Sequence, residues 1–352
     1  MINIALLPGD GVGSEVLEGS VGIMRILAER GHLSFTGPWP IGATAFRDLG
    51  VGLPQLTIDA VDRSDAILLG AVGEHPGVDL SLYRPELALL EIRKRYDLRI
   101  SIRQVWQPGR EPITFIRNLL GGAYGGAEMR QESGGENRES VAWDKFQIEK
   151  WRISEICEIA NEYLKESAEI QFISVDKANL LATSRLWRRT VTEFAKENNL
   201  LARHVYVDRF AYEIGSLQLP NCVVVTEGLF GDILSDLASG RAGSIAMCGS
   251  ASIHPGLPLT GNCVGLFEPV HGSAPKRAGQ NQVNPIGGYL ALAALLEWFP
   301  ETRPWGATVR EAVALAMSKG RLTYDLSPIG SVAISTSEFS EIVNSIFRTI
   351  VQ

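Results

Sequence analysis

Ile2-Asn-Ile-Ala-Leu-Leu-Pro-Gly-Asp-Gly-Val-Gly13 opens this chain of 352 residues, and the reading of that stretch decides the fold class. Ile2 to Leu7 is a short apolar run of strand length. Gly9, Gly11 and Gly13 then break it, and after Ser14 the residues Val16, Leu17, Ile23, Met24 and Leu27 recur at helical steps. Strand, glycine turn and helix invite a dinucleotide-binding reading. The spacing is Gly-x-Gly-x-Gly, however, one residue short of the Rossmann fingerprint, and no acidic residue ends a second strand at the expected distance. The motif is read as a tight strand-to-helix turn. No Gly-x-x-x-x-Gly-Lys-Ser/Thr occurs, which removes P-loop chemistry.

The same alternation continues outward. Asp65–Gly70, Ile170–Val175 and Asn221–Thr226 are short apolar runs, and the segment Ile148–Leu164 carries Ile153, Ile156 and Ile159 along one side. This predicts an α/β protein with partly parallel sheets. At roughly 150 residues per domain the length suggests two domains. Gly121–Asn137, polar and Gly-rich, is expected to be a surface arm, and Gly240–Gly261 a hinge. Hydrophobic residues make up 45% and charged residues 21%, which excludes disorder. Lys+Arg total 33 against 40 Asp+Glu, a net charge of −7 that argues against nucleic acid as a partner. The longest apolar stretch, Leu290–Leu296, is far below the ~18 residues of a membrane span. Met1 leads straight into a strand, and Cys157, Cys222, Cys248 and Cys263 lie far apart, so a cytoplasmic protein with reduced thiols is expected.

Charged residues stand at the ends of these runs. In Gly231-Asp-Ile-Leu-Ser-Asp236 two carboxylates at i and i+4 share one helix face. They suit either a solvated helix start or a hard divalent cation, and Asp208, after His204–Val207, could add a third oxygen ligand. Arg93, Arg103 and Arg117 lie in or beside apolar runs, where a guanidinium needs an anion such as a small polycarboxylate. Lys177 comes after the strand-like Ile170–Val175, where open α/β sheets bind ligands.

Together these segments resemble the metal-dependent β-decarboxylating dehydrogenases: isopropylmalate, isocitrate, homoisocitrate and tartrate dehydrogenases. The likeness spans nearly the whole chain. It rests on Leu7–Gly13, Leu69–Gly73, Leu90–Lys94, Ser174–Asn179, Leu229–Asp236 and Glu268–Pro275. It implies the two-domain isocitrate/isopropylmalate dehydrogenase-like fold, which is not a Rossmann fold. A discontinuous cofactor domain (1–98 plus 244–352) and a substrate and dimerisation domain (99–243) are expected, with a homodimer or higher homo-oligomer completing each site. Asp232 and Asp236, with Asp208 of a second subunit, would hold Mg²⁺ or Mn²⁺. Arg93, Arg103 and Arg117, with Asn179, would bind malate carboxylates, and Lys177, also of the second subunit, would help remove the C2 hydroxyl proton. The cofactor would meet Ala71-Val72-Gly73, then Glu268, His271, Gly272, Ser273 and Ala274, and finally Asn284.

Glu86, Leu89 and Leu90 resemble the apolar γ-substituent pocket of isopropylmalate dehydrogenases, which makes a 3-isopropylmalate-like substrate the leading expectation. Lys276-Arg277 and Tyr324 resemble instead the NADP-dependent isocitrate enzymes, so NADP is expected over NAD. Three departures mark a diverged member. Phe146 falls where the family has a proton-donating Tyr, leaving Tyr124 or water to substitute; Gly228 replaces an Asn; and Gln104 succeeds Arg103 in place of Pro. A paralogue acting on another malate derivative (isocitrate, homoisocitrate, tartrate or a phosphonate-bearing malate) and a catalytically impaired regulatory subunit are the competing expectations. The retained Lys177, Asp208, Asp232, Asp236 and three Arg favour an active enzyme.

Overall fold

A computed structural model describes residues 1–125, 131–133, 141–143, 145–216, 219–255 and 265–352. The chain divides into two compact units. Unit 1 comprises Met1–Leu98, Gln107–Gly109 and Ala242–Gln352; unit 2 comprises Arg99–Trp106 and Arg110–Arg241.

Unit 1 begins with β1 (Ile2–Gly9), α1 (Gly13–Glu29), β2 (Leu33–Thr36), α2 (Gly42–Leu49), α3 (Gln55–Val61), β3 (Ala66–Ala71) and α4 (Glu86–Arg95). After the excursion into unit 2 it resumes with β11 (Cys248–Ile253), β12 (Gly265–Pro269), α10 (Ile286–Trp298), α11 (Arg303–Ser318) and α12 (Thr336–Val351). Its strands run in the order β2-β1-β3-β12-β11. β1 and β12 are parallel to β3, whereas β11 pairs antiparallel with β12. That order and the antiparallel step differ from a doubly wound Rossmann sheet, as the glycine spacing anticipates. The apolar run Leu290–Leu296 lies in α10, a helix buried on nearly every side. It is a core helix, and no helix among the described residues is long and apolar enough to cross a membrane.

The glycine turn does a structural job. Gly9 and Gly11 have φ of 74° and 55°, and a Cβ on Gly11 would lie 1.9 Å from the Ser273 carbonyl oxygen. Between them Asp10, 1% exposed, accepts hydrogen bonds from the backbone N–H groups of Ala43 (2.9 Å), Thr44 (2.7 Å) and Gly73 (3.1 Å). Val12 N–H donates to Ser273 O at 2.9 Å. One turn thus fixes the start of α2 and two loops of unit 1.

Unit 2 contains β4 (Ile100–Gln107), β5 (Arg110–Asn118), α5 (Gly122–Gly125), β6 (Gln131–Ser133), β7 (Val141–Trp143), α6 (Lys150–Leu164), β8 (Gln171–Asp176), α7 (Ala182–Glu197), β9 (Ala202–Tyr206), α8 (Val207–Ser216), β10 (Cys222–Thr226) and α9 (Gly228–Arg241). Its main strands are ordered β4-β5-β10-β8-β9, while β6 and β7 form a separate antiparallel pair. β5, β10, β8 and β9 are parallel, and their ends align to within one residue: Arg117 opposite Thr226, Thr226 opposite Val175, Asp176 opposite Tyr206. Parallel strands all end at the same edge of the sheet, which brings Arg117, the start of α9, Lys177 and Asp208 to that edge.

Over its described part the segment Gly240–Gly261 contains the crossing from unit 2 to unit 1, between Arg241 and Ala242, and then β11, every residue of which is buried. One expectation needs correction. Asp232 does not lie in the first turn of its helix: α9 begins at Gly228, four residues earlier. Within the Gly121–Asn137 arm, positions 126–130 and 134–137 lie outside the described residues.

Candidate functional site

In unit 2 the two aspartates of α9 face two arginines from neighbouring strands. Arg103 of β4 donates from Nη2 to Asp232 Oδ1 (3.0 Å) and from Nη1 to Asp236 Oδ1 (2.9 Å), and also reaches Ser235 Oγ (2.9 Å). Arg117 of β5 donates from Nη2 to Asp232 Oδ1 (2.8 Å) and from Nη1 to the Gly228 carbonyl (2.9 Å). Both arginines are buried, and a buried guanidinium is tolerable only when paired. The i, i+4 spacing lets one fork bridge both carboxylates. The carboxylates are therefore engaged by the two buried arginines although Asp236 itself is exposed, and with α9 starting four residues earlier the helix-start reading fails.

The second Asp232 oxygen accepts the Tyr124 hydroxyl at 2.8 Å. Burial first, then the charge of Asp232, pushes the Tyr124 phenol up to about 12, so it keeps its proton at neutral pH. Burial also raises the Asp236 carboxyl above its ordinary value, with Arg103 pulling the other way. Gly228 has a steric reason. A Cβ there would sit 2.5 Å from Asn118 O and 3.1 Å from the Tyr124 ring, so the departure from Asn accompanies close packing of α9 on the residues after β5. Beside it Glu227 caps α9, accepting from Phe230 N–H (2.7 Å) and Leu229 N–H (3.1 Å), and burial raises its carboxyl. Phe146 and Glu227 line one small cavity with Trp187. Glu227, Ser235 and the Gly228 carbonyl are not marked by sequence pattern alone. Ser235 stands between the two aspartates, which is the one local signal, whereas the other two need the packing.

Lys177 and Asp208 form a separate pair at 2.5 Å. The lysine hydrogen bond holds the Asp208 carboxyl below the usual range. Asp208 sits in the first turn of α8, one position inside the helix rather than at a strand end. No group of three or more His, Cys, Asp or Glu able to hold a metal occurs among the described residues. Asp232 and Asp236 are hard oxygen donors that fit Mg²⁺ or Mn²⁺, but two carboxylates from one chain leave the ion short of a third. Asn179 lies just past Lys177 in the turn leading to α7 and is exposed.

Unit 1 holds the remaining candidates. Arg93 Nη2 donates to Glu268 Oε1 at 2.9 Å. Leu89 and Leu90 are half-buried on α4, and Glu86, at the start of that helix, is exposed. Ala71-Val72-Gly73 and His271–Ala274 abut: a Cβ on Gly73 would lie 2.8 Å from Ser273 Oγ, which itself donates to Glu74 O (3.0 Å). Among the described residues His271 Nε2 is buried with no hydrogen-bond partner, and burial holds the imidazole below its ordinary pKa, hence neutral. Asn284 donates to Asp325 (2.9 Å), and the Arg277 guanidinium lies 4.1 Å from the centroid of the Tyr324 ring. Lys276 is exposed, and neither it nor Arg277 forms an ion pair among the described residues. Two cations without a carboxylate partner among the described residues, and a buried imidazole nitrogen in the same segment of chain, fit an anionic cofactor.

Residues 3–343 match the family model described as isocitrate/isopropylmalate dehydrogenase. The 3-isopropylmalate dehydrogenase of Geobacillus kaustophilus is 38% identical over 96% of this chain and 93% of its own length. Among solved structures, isocitrate dehydrogenase from Methylococcus capsulatus superposes with a TM-score of 0.85 at 25% identity, covering 99% of this chain and all of the other. A β-decarboxylating dehydrogenase from Thermococcus kodakarensis, in its apo form, gives 0.79 at 30% identity, covering 100% and 97%.

Proposed function

The chain belongs to the isocitrate/isopropylmalate dehydrogenase family, and from that premise we propose that it oxidises a 3-substituted malate, 3-isopropylmalate-like, at its C2 hydroxyl with NADP⁺ and loss of CO₂. The observation that carries this reading is the cluster in unit 2 in which Arg103 bridges Asp232 and Asp236 and Arg117 also pairs with Asp232. A divalent ion on the two aspartates would act as a Lewis acid toward the C2 oxygen, and the nicotinamide would accept the hydride.

The chain's own groups take the other roles. Arg103 and Arg117 are planar forks, already aimed at carboxylate oxygens, and on substrate binding would exchange Asp for malate carboxylates. Arg93 is a further proposed carboxylate donor. Lys177 would hold the hydroxyl proton at Nζ, and Tyr124, protonated up to about pH 12, would carry a proton at its hydroxyl. Phe146 has none to give. Leu89 and Leu90 would face the apolar substituent. One methylene is worth only about 1–3 kcal/mol in such a pocket, so close analogues should react. Lys276 and Arg277 would bind a 2′-phosphate. The third carboxylate would come from Asp208 of a second copy, which makes a homodimer the smallest active form.

A panel of malate derivatives assayed with Mn²⁺ and each nicotinamide cofactor tests this. The reading expects turnover of an alkyl-substituted malate, CO₂ equal to NADPH, and higher kcat/KM with NADP⁺. Higher kcat/KM with NAD⁺ overturns the cofactor assignment, and no turnover with any malate overturns the rest.

A further inference from the structure

The pair Lys177–Asp208 joins the turn after β8 to the first turn of α8, and something must set their spacing. Asp176 and Tyr206, the last residues of β8 and β9, are opposite one another in register. Lys177 comes directly after the first, and Asp208 lies two residues after the second. Arg188, from the middle of α7, reaches both strand ends. Its Nε and Nη2 donate to the two oxygens of Asp176 at 2.8 and 2.9 Å, and its guanidinium lies 4.8 Å from the Tyr206 ring centroid. Asp176 is 1% exposed and its Oδ1 also accepts from Ala178 N–H at 2.8 Å, which fixes the turn carrying Lys177. Arg185, one turn earlier on α7, donates to Leu180 O at 3.2 Å and holds the far side of that turn.

We infer that Arg188 is a positioning residue, whose bidentate grip on Asp176 and stacking on Tyr206 hold Lys177 and Asp208 at the separation their joint task requires. Arg suits this because it combines a planar fork for a carboxylate with a flat face for an aromatic ring, and Lys offers neither. The inference rests on the proposed function, in which Asp208 is a metal ligand. Groups that orient ligands from behind commonly change metal affinity or activity by about 10- to 100-fold when removed.

The test measures Mn²⁺ dissociation constants by electron paramagnetic resonance on the full-length protein. It adds kcat and KM for the best malate derivative, KM for NADP⁺ and the melting temperature. R188K and R188M should both bind Mn²⁺ about tenfold more weakly and lose about tenfold in kcat. KM for NADP⁺ should stay within about twofold, because the Arg188 contacts with Asp176 and Tyr206 lie within unit 2. Y206L, which removes the ring and keeps bulk, should show a smaller loss of the same kind. Wild-type Mn²⁺ affinity in R188K overturns the positioning role, since charge alone would then suffice. D208N is the control. If it too binds Mn²⁺ like the wild type, the metal reading is what fails, and the inference falls with it.

Discussion

The two units hold their charges in opposite ways. In unit 2 the carboxylates and guanidiniums are matched: Arg103 and Arg117, both buried, are spent on Asp232 and Asp236. In unit 1 Lys276 and Arg277 have no carboxylate among the described residues, and Arg277 rests on the face of Tyr324. Buried charges must be neutralised by the fold itself, because an unpaired one costs several kcal/mol, whereas exposed cations can wait in water for an anion. On the proposed function, the unit 2 cluster would be a metal and polycarboxylate site prebuilt in a form that later exchanges partners, whereas the unit 1 cations would form a phosphate site that stays open.

That contrast predicts effects confined to one unit. The largest is expected from D232N and D236N, each lowering kcat about a thousandfold, because a Lewis acid supplies several kcal/mol, while NADPH affinity measured by fluorescence stays within about twofold. R117M should lower unfolding free energy by about 2 to 3 kcal/mol in urea titrations, since it removes the charge-assisted hydrogen bonds of a buried guanidinium to Asp232 and to the Gly228 carbonyl. K276A/R277A should reduce kcat/KM for NADP⁺ about 30-fold, roughly 2 kcal/mol, with little change for NAD⁺ and none in stability. An equal loss with both cofactors would erase the contrast.

The smallest effect concerns pH. Asp208 is held below the ordinary carboxylate value by its hydrogen bond to Lys177. A depressed folded-state value means the pair's stabilisation is present above the unfolded value near pH 4, and is lost as pH falls through the folded one. In K177M the Asp208 titration, followed by NMR, should move up toward pH 4, and the stability difference from wild type should vanish in acid.

Much of this was legible in the residues because the chemistry sits at strand ends. The apolar runs Asp65–Gly70, Ile170–Val175 and Asn221–Thr226 coincide with β3, β8 and β10 to within a residue or so. The failed dinucleotide spacing at Gly9–Gly13 foretold the absence of a Rossmann sheet. The i, i+4 aspartates foretold a shared face, and Arg103 touching both is its geometric consequence. What the sequence withheld depends on strand order. Nothing local says that β5 neighbours β10, which is what brings Arg117 to Asp232. The same order carries Lys177 and Asp208 off with β8 and β9. The inward role of Asp10 was hidden because its partners are backbone N–H groups, which leave no mark in composition. Arg188 was hidden among the neighbouring cations Arg185 and Arg189.

Crystals grown with Mn²⁺ and a malate derivative, read by anomalous scattering, test the central claim most directly. One ion is predicted on the carboxylate oxygens of Asp232 and Asp236, joined by Asp208 from a second copy, with Arg103 and Arg117 turned onto the substrate. An ion bound elsewhere, or Asp232 and Asp236 still locked to both arginines with no ion beside them, would contradict it.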